Sequence, residues 1–153
     1  DTVTALVERW ADETPDAIAI RSLDRPSLSY MRLLEVIDER GRDLRRLGVG
    51  ATDNVAIVLD NGPEAATAFL STANAASAAP LNPALTRAEF EYYLRDLEAR
   101  LLVVEDEYSA SVDAARSLGI AVALLSVPDE SPAGEFTLGT EEDRAAPPVR
   151  PGE

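Results

Sequence analysis

The stretch Asn54-Val55-Ala56-Ile57-Val58-Leu59-Asp60-Asn61-Gly62-Pro63 decides the fold. Its centre is continuously apolar, the mark of a strand buried on both faces, as in a parallel sheet. Asp60 to Pro63 then turns the chain. Pro63 suits the first position of a helix, where its missing N–H costs nothing. A buried strand that turns straight into a helix is half of a strand–helix–strand unit.

Reading outward from that stretch, the same alternation repeats. The Ala-rich segment Glu64–Ala76, with Phe69 and Leu70 as its large apolar groups, predicts a helix. Ser77–Leu81 predicts a short strand, ended by Pro80 and Pro83. Thr86-Arg87-Ala88-Glu89 has the spacing of a capping box, in which hydroxyl and carboxylate each satisfy an orphan backbone donor. The helix it opens carries Phe90, Tyr93, Leu94 and Leu97 on one face, which predicts core packing. Leu101–Val104 reads as a strand, Ser109–Leu118 as a helix stopped by Gly119, and Ile120–Leu125 as the last buried strand. Upstream, Leu33, Leu34, Ile37, Leu44 and Leu47 recur at helical spacing. Ser29 stands where the cap belongs, and Gly48 where a left-handed residue ends a helix. The chain opens with an amphipathic helix over 1–12, bearing Leu6, Val7 and Trp10. Two short strands follow, Ala17–Arg21 and Leu28–Tyr30, which predict a hairpin. Trp10 reads as a core or interface aromatic. After Val127 the sequence turns acidic and rich in Pro and Gly, with no sustained period. One edge strand is expected near 136–138, and otherwise a linker or a loosely held tail. The fold class is therefore α/β: a parallel sheet with helices on both faces, preceded by a helix and a β-hairpin.

Composition narrows the chemistry. The chain has 153 residues, 46% of them hydrophobic, and a formal net charge of −14. Such a balance repels nucleic acid and anionic membranes unless basic residues are concentrated. The nearest concentration, Arg40, Arg42, Arg45 and Arg46, is interleaved with Glu35, Asp38, Glu39 and Asp43 and reads as a salt-bridged helix face. No apolar run approaches the roughly 18 residues of a membrane span, and no basic-then-apolar leader is seen, so a cytoplasmic location is expected. Cys, His and Lys are absent, and all 14 basic residues are Arg. This excludes a thiol nucleophile, a histidine base, a Schiff base and a lysine phosphate clamp within the chain.

Few residues are candidates for a site. The Asn61-Gly62-Pro63 turn follows a strand and opens a helix, but one glycine makes a poor phosphate cradle. Gly48 and Gly50 follow a helix instead of opening one, and read as a cap and a turn. Two acidic clusters, Glu105-Asp106-Glu107 and Glu141-Glu142-Asp143, read as solvated charge. Glu105 is the better placed, at a strand end where open α/β sheets bind ligands. Asp60 after a buried strand suggests a phosphoacceptor receiver domain, which the lack of any Lys opposes. A free-standing α/β binding or signalling module without catalysis is the alternative to an enzyme.

A series of ordered matches is more specific. It runs from Pro15-Asp16-Ala17-Ile18-Ala19 through Leu28-Ser29-Tyr30, Leu47-Gly48-Val49 and Asn54–Leu59 with Asn61. It ends with Pro80-Leu81-Asn82-Pro83, Thr86, Glu89 and Tyr93-Leu94. In this order and spacing the chain resembles the N-terminal region of the acyl-adenylating superfamily, which includes acyl-CoA synthetases and peptide synthetase adenylation domains. The segment 79–104 is most similar to the acyl- and oxalyl-CoA synthetase branch.

That resemblance implies an acid–thiol ligase. A carboxylate attacks the α-phosphate of ATP, pyrophosphate leaves, and a thiol such as coenzyme A takes the acyl group and releases AMP. The family uses ATP, Mg²⁺ and coenzyme A, a Ser/Thr/Gly-rich loop closing on Lys, and a further Lys in a small C-terminal domain. Neither Lys is present here. Residues 1–127 are therefore expected to be the N-terminal α/β subdomain, part of a larger N-terminal domain. Residues 128–153 are expected to be the acidic linker towards the phosphate loop. No catalytic, cofactor-binding or metal-ligating role is assigned to any residue, and no cofactor is expected to bind this piece alone. Asn82 and the Asn61 turn are expected to satisfy backbone groups at loop ends. The expected partners are the remainder of the enzyme and a carboxylic acid chosen by later sequence. Self-association of the piece through Leu6, Trp10 and Ile18 is also expected.

Overall fold

A computed structural model describes residues 2–145. The elements are α1 (Val3–Glu13), β1 (Ile18–Ile20), β2 (Leu28–Ser29), α2 (Tyr30–Arg46), β3 (Asn54–Val58), α3 (Pro63–Ala75) and β4 (Ser77–Pro80). They continue with α4 (Arg87–Asp96), β5 (Leu101–Val104), α5 (Ala110–Ser117), β6 (Ala121–Ser126), β7 (Thr137–Gly139) and α6 (Glu141–Ala145).

Alternation along each strand builds two cores. Val55 and Ile57 of β3, Leu101 and Val103 of β5, and Ala123 and Leu125 of β6 face α2 and α3. Their neighbours Ala56, Val58, Leu102, Val104 and Leu124 face α4 and α5, against Phe90 and Leu94. Both faces are dry, which is why these strands are apolar throughout. A third cluster, Val7, Leu28, Leu33 and Ile37, seats α1 and the β1–β2 hairpin on the outer side of α2.

The larger sheet runs β4-β3-β5-β6-β7, parallel except for the β6–β7 pair. On β4, Ser77 N–H donates to Asp53 O and Leu81 N–H to Ile57 O, both at 2.9 Å. The two-residue period turns Ala78 and Pro80 to the open edge, where a proline breaks no ladder bond.

Local signals hold closely. Ser29 Oγ accepts from Arg32 N–H at 3.2 Å. Thr86 and Glu89 form the reciprocal box, at 3.3 and 2.8 Å. Three helices end alike: Gly48, Glu98 and Gly119 have φ of 87°, 49° and 70°. The residue after each donates to the carbonyl five before it, as Val49 does to Leu44, Ala99 to Leu94 and Ile120 to Ala115.

Three expectations need correction. The loosely held tail does not begin at residue 128: Ala133 and Phe136 are wholly buried, and β7 pairs with β6. Residues 146–153 of the expected linker lie outside the described residues. Tyr93 is 41% exposed, so it is not core as expected; Phe69 of α3 is likewise 40% exposed. Each lies off its helix's buried line, set in α4 by Phe90 and Leu94 and in α3 by Ala68, Thr72 and Ala75. Trp10, read as a core or interface aromatic, is 38% exposed and stacks on Tyr30 at 6.0 Å between ring centroids, so of the two readings the interface one remains. The Arg40–Asp43 and Arg46–Asp43 ion pairs, both at 3.0 Å, bear out the salt-bridged face, but the Arg40 side chain is drawn inward, with Nη1 donating to Phe136 O.

Candidate functional site

The strand order reverses at β3, whose two neighbours β4 and β5 are reached by crossovers in opposite directions. Such a switch point parts the loops at the carboxyl ends of the strands and leaves a crevice there. Two adjoining clefts occupy that end and share Leu59, Asp60 and Pro83.

The first, about 610 Å³, lies between the turn after β3 and the loop after β4. Ile57, Phe69 and Pro80 line its apolar side, and Asp60, Asn61 and Asn82 its polar side. Asn82 Oδ1 accepts from Ala84 N–H at 2.9 Å, the loop-end role expected of it. Gly62 is the N-cap of α3 and supplies no side-chain bond to the first turn.

The second cleft, about 540 Å³, lies between the ends of β3 and β5. Val58, Phe90 and Val104 form its floor, and Asp60, Glu105, Asp106 and Ser109 its rim. Asp106 Oδ1 accepts from Tyr108 N–H at 2.9 Å. Ser109 Oγ and Ser111 Oγ are hydrogen-bonded at 2.9 Å.

The structure thus brings Asp60, Asn61, Asn82 and Glu105 to one end of the sheet. The other acidic cluster is elsewhere. Glu141 pairs with Arg116, and Asp143 caps α6 by accepting from Thr140 N–H at 2.7 Å. The Thr140 N–H and then its hydroxyl hold the Asp143 carboxyl below its ordinary range. Phe69 is the cleft residue that sequence reasoning missed; an apolar residue on an Ala-rich helix carries no signal of facing a cleft.

Among the described residues, the two linings hold three carboxylates and no cationic side chain. A triphosphate requires the opposite: N–H donors backed by Lys, Arg or a metal. No group of three or more acidic residues among the described residues is arranged to hold a metal ion. The clefts as built do not fit a nucleotide's phosphates.

Comparison with known proteins supplies the context. The family model described as AMP-binding enzyme matches residues 7–152. A probable CoA ligase of Humulus lupulus is 35% identical over 135 residues, 88% of this chain and 25% of the relative. The oxalate–CoA ligase of Arabidopsis thaliana is 35% identical over 119 residues, 76% of this chain and 23% of the relative. The phosphinothricin tripeptide synthetase PhsB of Streptomyces viridochromogenes is 31% identical over 154 residues, all of this chain and 12% of the relative. ATP-bound MatB from Rhodopseudomonas palustris superposes with TM-score 0.70 at 26% identity, covering 86% of this chain and 26% of that one. The chain spans about a quarter of the length of the two CoA ligases. With nearly its whole length matched, the chain belongs to the AMP-binding enzyme family.

Proposed function

We propose that this chain forms one wall of the active site of an ATP-dependent acyl-CoA synthetase and is catalytically incomplete alone. One observation carries the reading: the sheet's carboxyl end gathers two clefts whose lining, among the described residues, offers apolar surface, carboxylates and amides but no cation. Such a wall shapes and dries a site, while the groups that hold phosphate and move protons come from elsewhere.

In the complete enzyme the carboxylate oxygen attacks the α-phosphate of ATP and pyrophosphate leaves. A thiol, coenzyme A in this reading, then takes the acyl group and AMP leaves. The mass of the enzyme beyond this chain supplies the Mg²⁺ site, the phosphate loop and the acid-selecting pocket. Residues 1–139, with β7 in the sheet, serve as the N-terminal α/β subdomain, and the chain beyond leads towards the phosphate loop. The same reading places the enzyme in the cytoplasm, where ATP and coenzyme A are available. Among the described residues, no helix is long and apolar enough to cross a membrane.

The exposed apolar groups of the opening layer, Leu6, Trp10 and Ile18, belong against the rest of the enzyme. The isolated chain therefore self-associates or binds an apolar dye; a monomer by light scattering with no dye response contradicts this. The coding sequence beyond Glu153 separates the ligase from a free-standing module. A Ser/Thr/Gly loop closing on Lys supports the ligase, and a stop codon sinks it.

A further inference from the structure

We propose that residues 131–136 are a latch that ties the β1–β2 hairpin to the first turn of α3, so that the two release together while the central strands stay formed. This does not depend on the reading of the clefts.

Gly134 is the meeting point. A Cβ built there would stand 2.8 Å from Thr67 Cγ2 of α3 and 3.3 Å from Ile20 Cδ1 of β1. Its φ of 91° favours glycine independently of that crowding. Its carbonyl accepts from Thr67 Oγ1 at 2.7 Å, and its N–H donates to Glu64 Oε1 at 3.2 Å. The same Glu64 oxygen accepts from Arg25 Nη1, out of the hairpin loop. Arg25 also donates through Nη2 to Pro132 O at 2.7 Å and to Ser131 Oγ at 3.2 Å, and through Nε to Ser131 O at 3.3 Å. Ala133 N–H donates to Pro26 O at 2.8 Å. Each of the three segments is therefore bonded to both of the others.

The hairpin needs such support. A two-stranded ribbon is marginal in water, and here the strands have three and two residues. Besides these bonds, the hairpin is anchored by Leu28 in the Val7–Leu28–Leu33 cluster below it. The first turn of α3, for its part, lacks a side-chain cap and is fixed from outside by Arg25, through Glu64. Because that turn borders the first cleft, a ligand or partner that grips either hairpin or turn protects the other, as linkage requires.

Hydrogen exchange on the full 153-residue chain tests the latch. In Arg25→Met, which removes the four bonds Arg25 donates, amides of 18–29, 63–67 and 131–136 should accelerate together by about tenfold or more. Those of Leu101–Val104 should change less than about twofold. Acceleration of the hairpin without 63–67, or of Leu101–Val104 equally, overturns the proposal. Should the variant fail to fold, the unaltered chain in sub-denaturing urea gives the same decision. The three segments should share one opening free energy below that of Leu101–Val104. Three unequal values, or one equal to that of Leu101–Val104, overturn it.

Discussion

Arg40 and Phe136 fasten the last buried aromatic to the second helix. The guanidinium Nη1 donates to Phe136 O, and its carbon stands 5.9 Å from the ring centroid. The ring itself is 1% exposed, inside the core formed by α2, α3 and the sheet. A residue in a stretch of Pro, Gly and acids is thus part of the main core. Phe136→Ala should cost about 3–5 kcal/mol by urea denaturation. A chain ended after Val127 should lose cooperative unfolding. A cost under about 1 kcal/mol would return residues 128–139 to the status of a linker.

Much of the fold was legible because it rests on local rules. Continuous apolar runs gave β3, β5 and β6. The Thr86–Glu89 spacing gave the start of α4, and Gly48 gave the end of α2. The packing of 131–139 was not legible. Ala133 and Phe136 are isolated apolar residues without a period, and Arg25 and Glu64 are 39 residues apart with no local pattern linking them. At the candidate site, the strand-end position of Asp60 and Glu105 could be read from the alternation. The exposure of Phe69 could not, because it depends on which side of α3 lies beyond the edge of the sheet.

The Thr86 box makes a simple local prediction. Thr86→Ala removes the bond to Glu89 N–H and leaves an orphan donor at the start of α4. A loss of about 1 kcal/mol in chemical denaturation is expected. Glu89→Ala removes the other bond, from Thr86 N–H to the Glu89 carboxylate, which Thr86→Ala leaves in place, so the double variant should cost more than either single one.

Glu98 occupies the left-handed position after α4 that glycine occupies after α2 and α5, with φ of 49°. A side chain in that conformation carries strain of about 1 kcal/mol. Glu98→Gly should therefore stabilise the chain by about 0.5–1 kcal/mol, read as a raised denaturation midpoint. A lowered midpoint would show that Glu98 makes a compensating interaction.

The pH dependence follows from carboxylates held below their ordinary range. The Arg32 guanidinium hydrogen-bonds Glu39 and lowers its carboxyl from the ordinary 4.5. Arg87 and Ser117 lower Glu91 in the same way. A carboxyl lowered in the folded state binds fewer protons there than when unfolded. Its contribution is complete above the unfolded value and is lost as pH falls through the folded one. With no His in the chain, stability should be flat between about pH 5.5 and 7 and decline below about pH 4.5. These groups are only partly buried, so added salt should shrink the acid-side loss. A midpoint that rises on acidification to pH 4 would contradict the assignment.

A wall without the cations that hold a nucleotide should not bind one on its own. A calorimetric titration of the 153-residue chain with Mg·ATP tests it most directly. No saturable heat below millimolar ATP is the predicted result; a micromolar dissociation constant would contradict it.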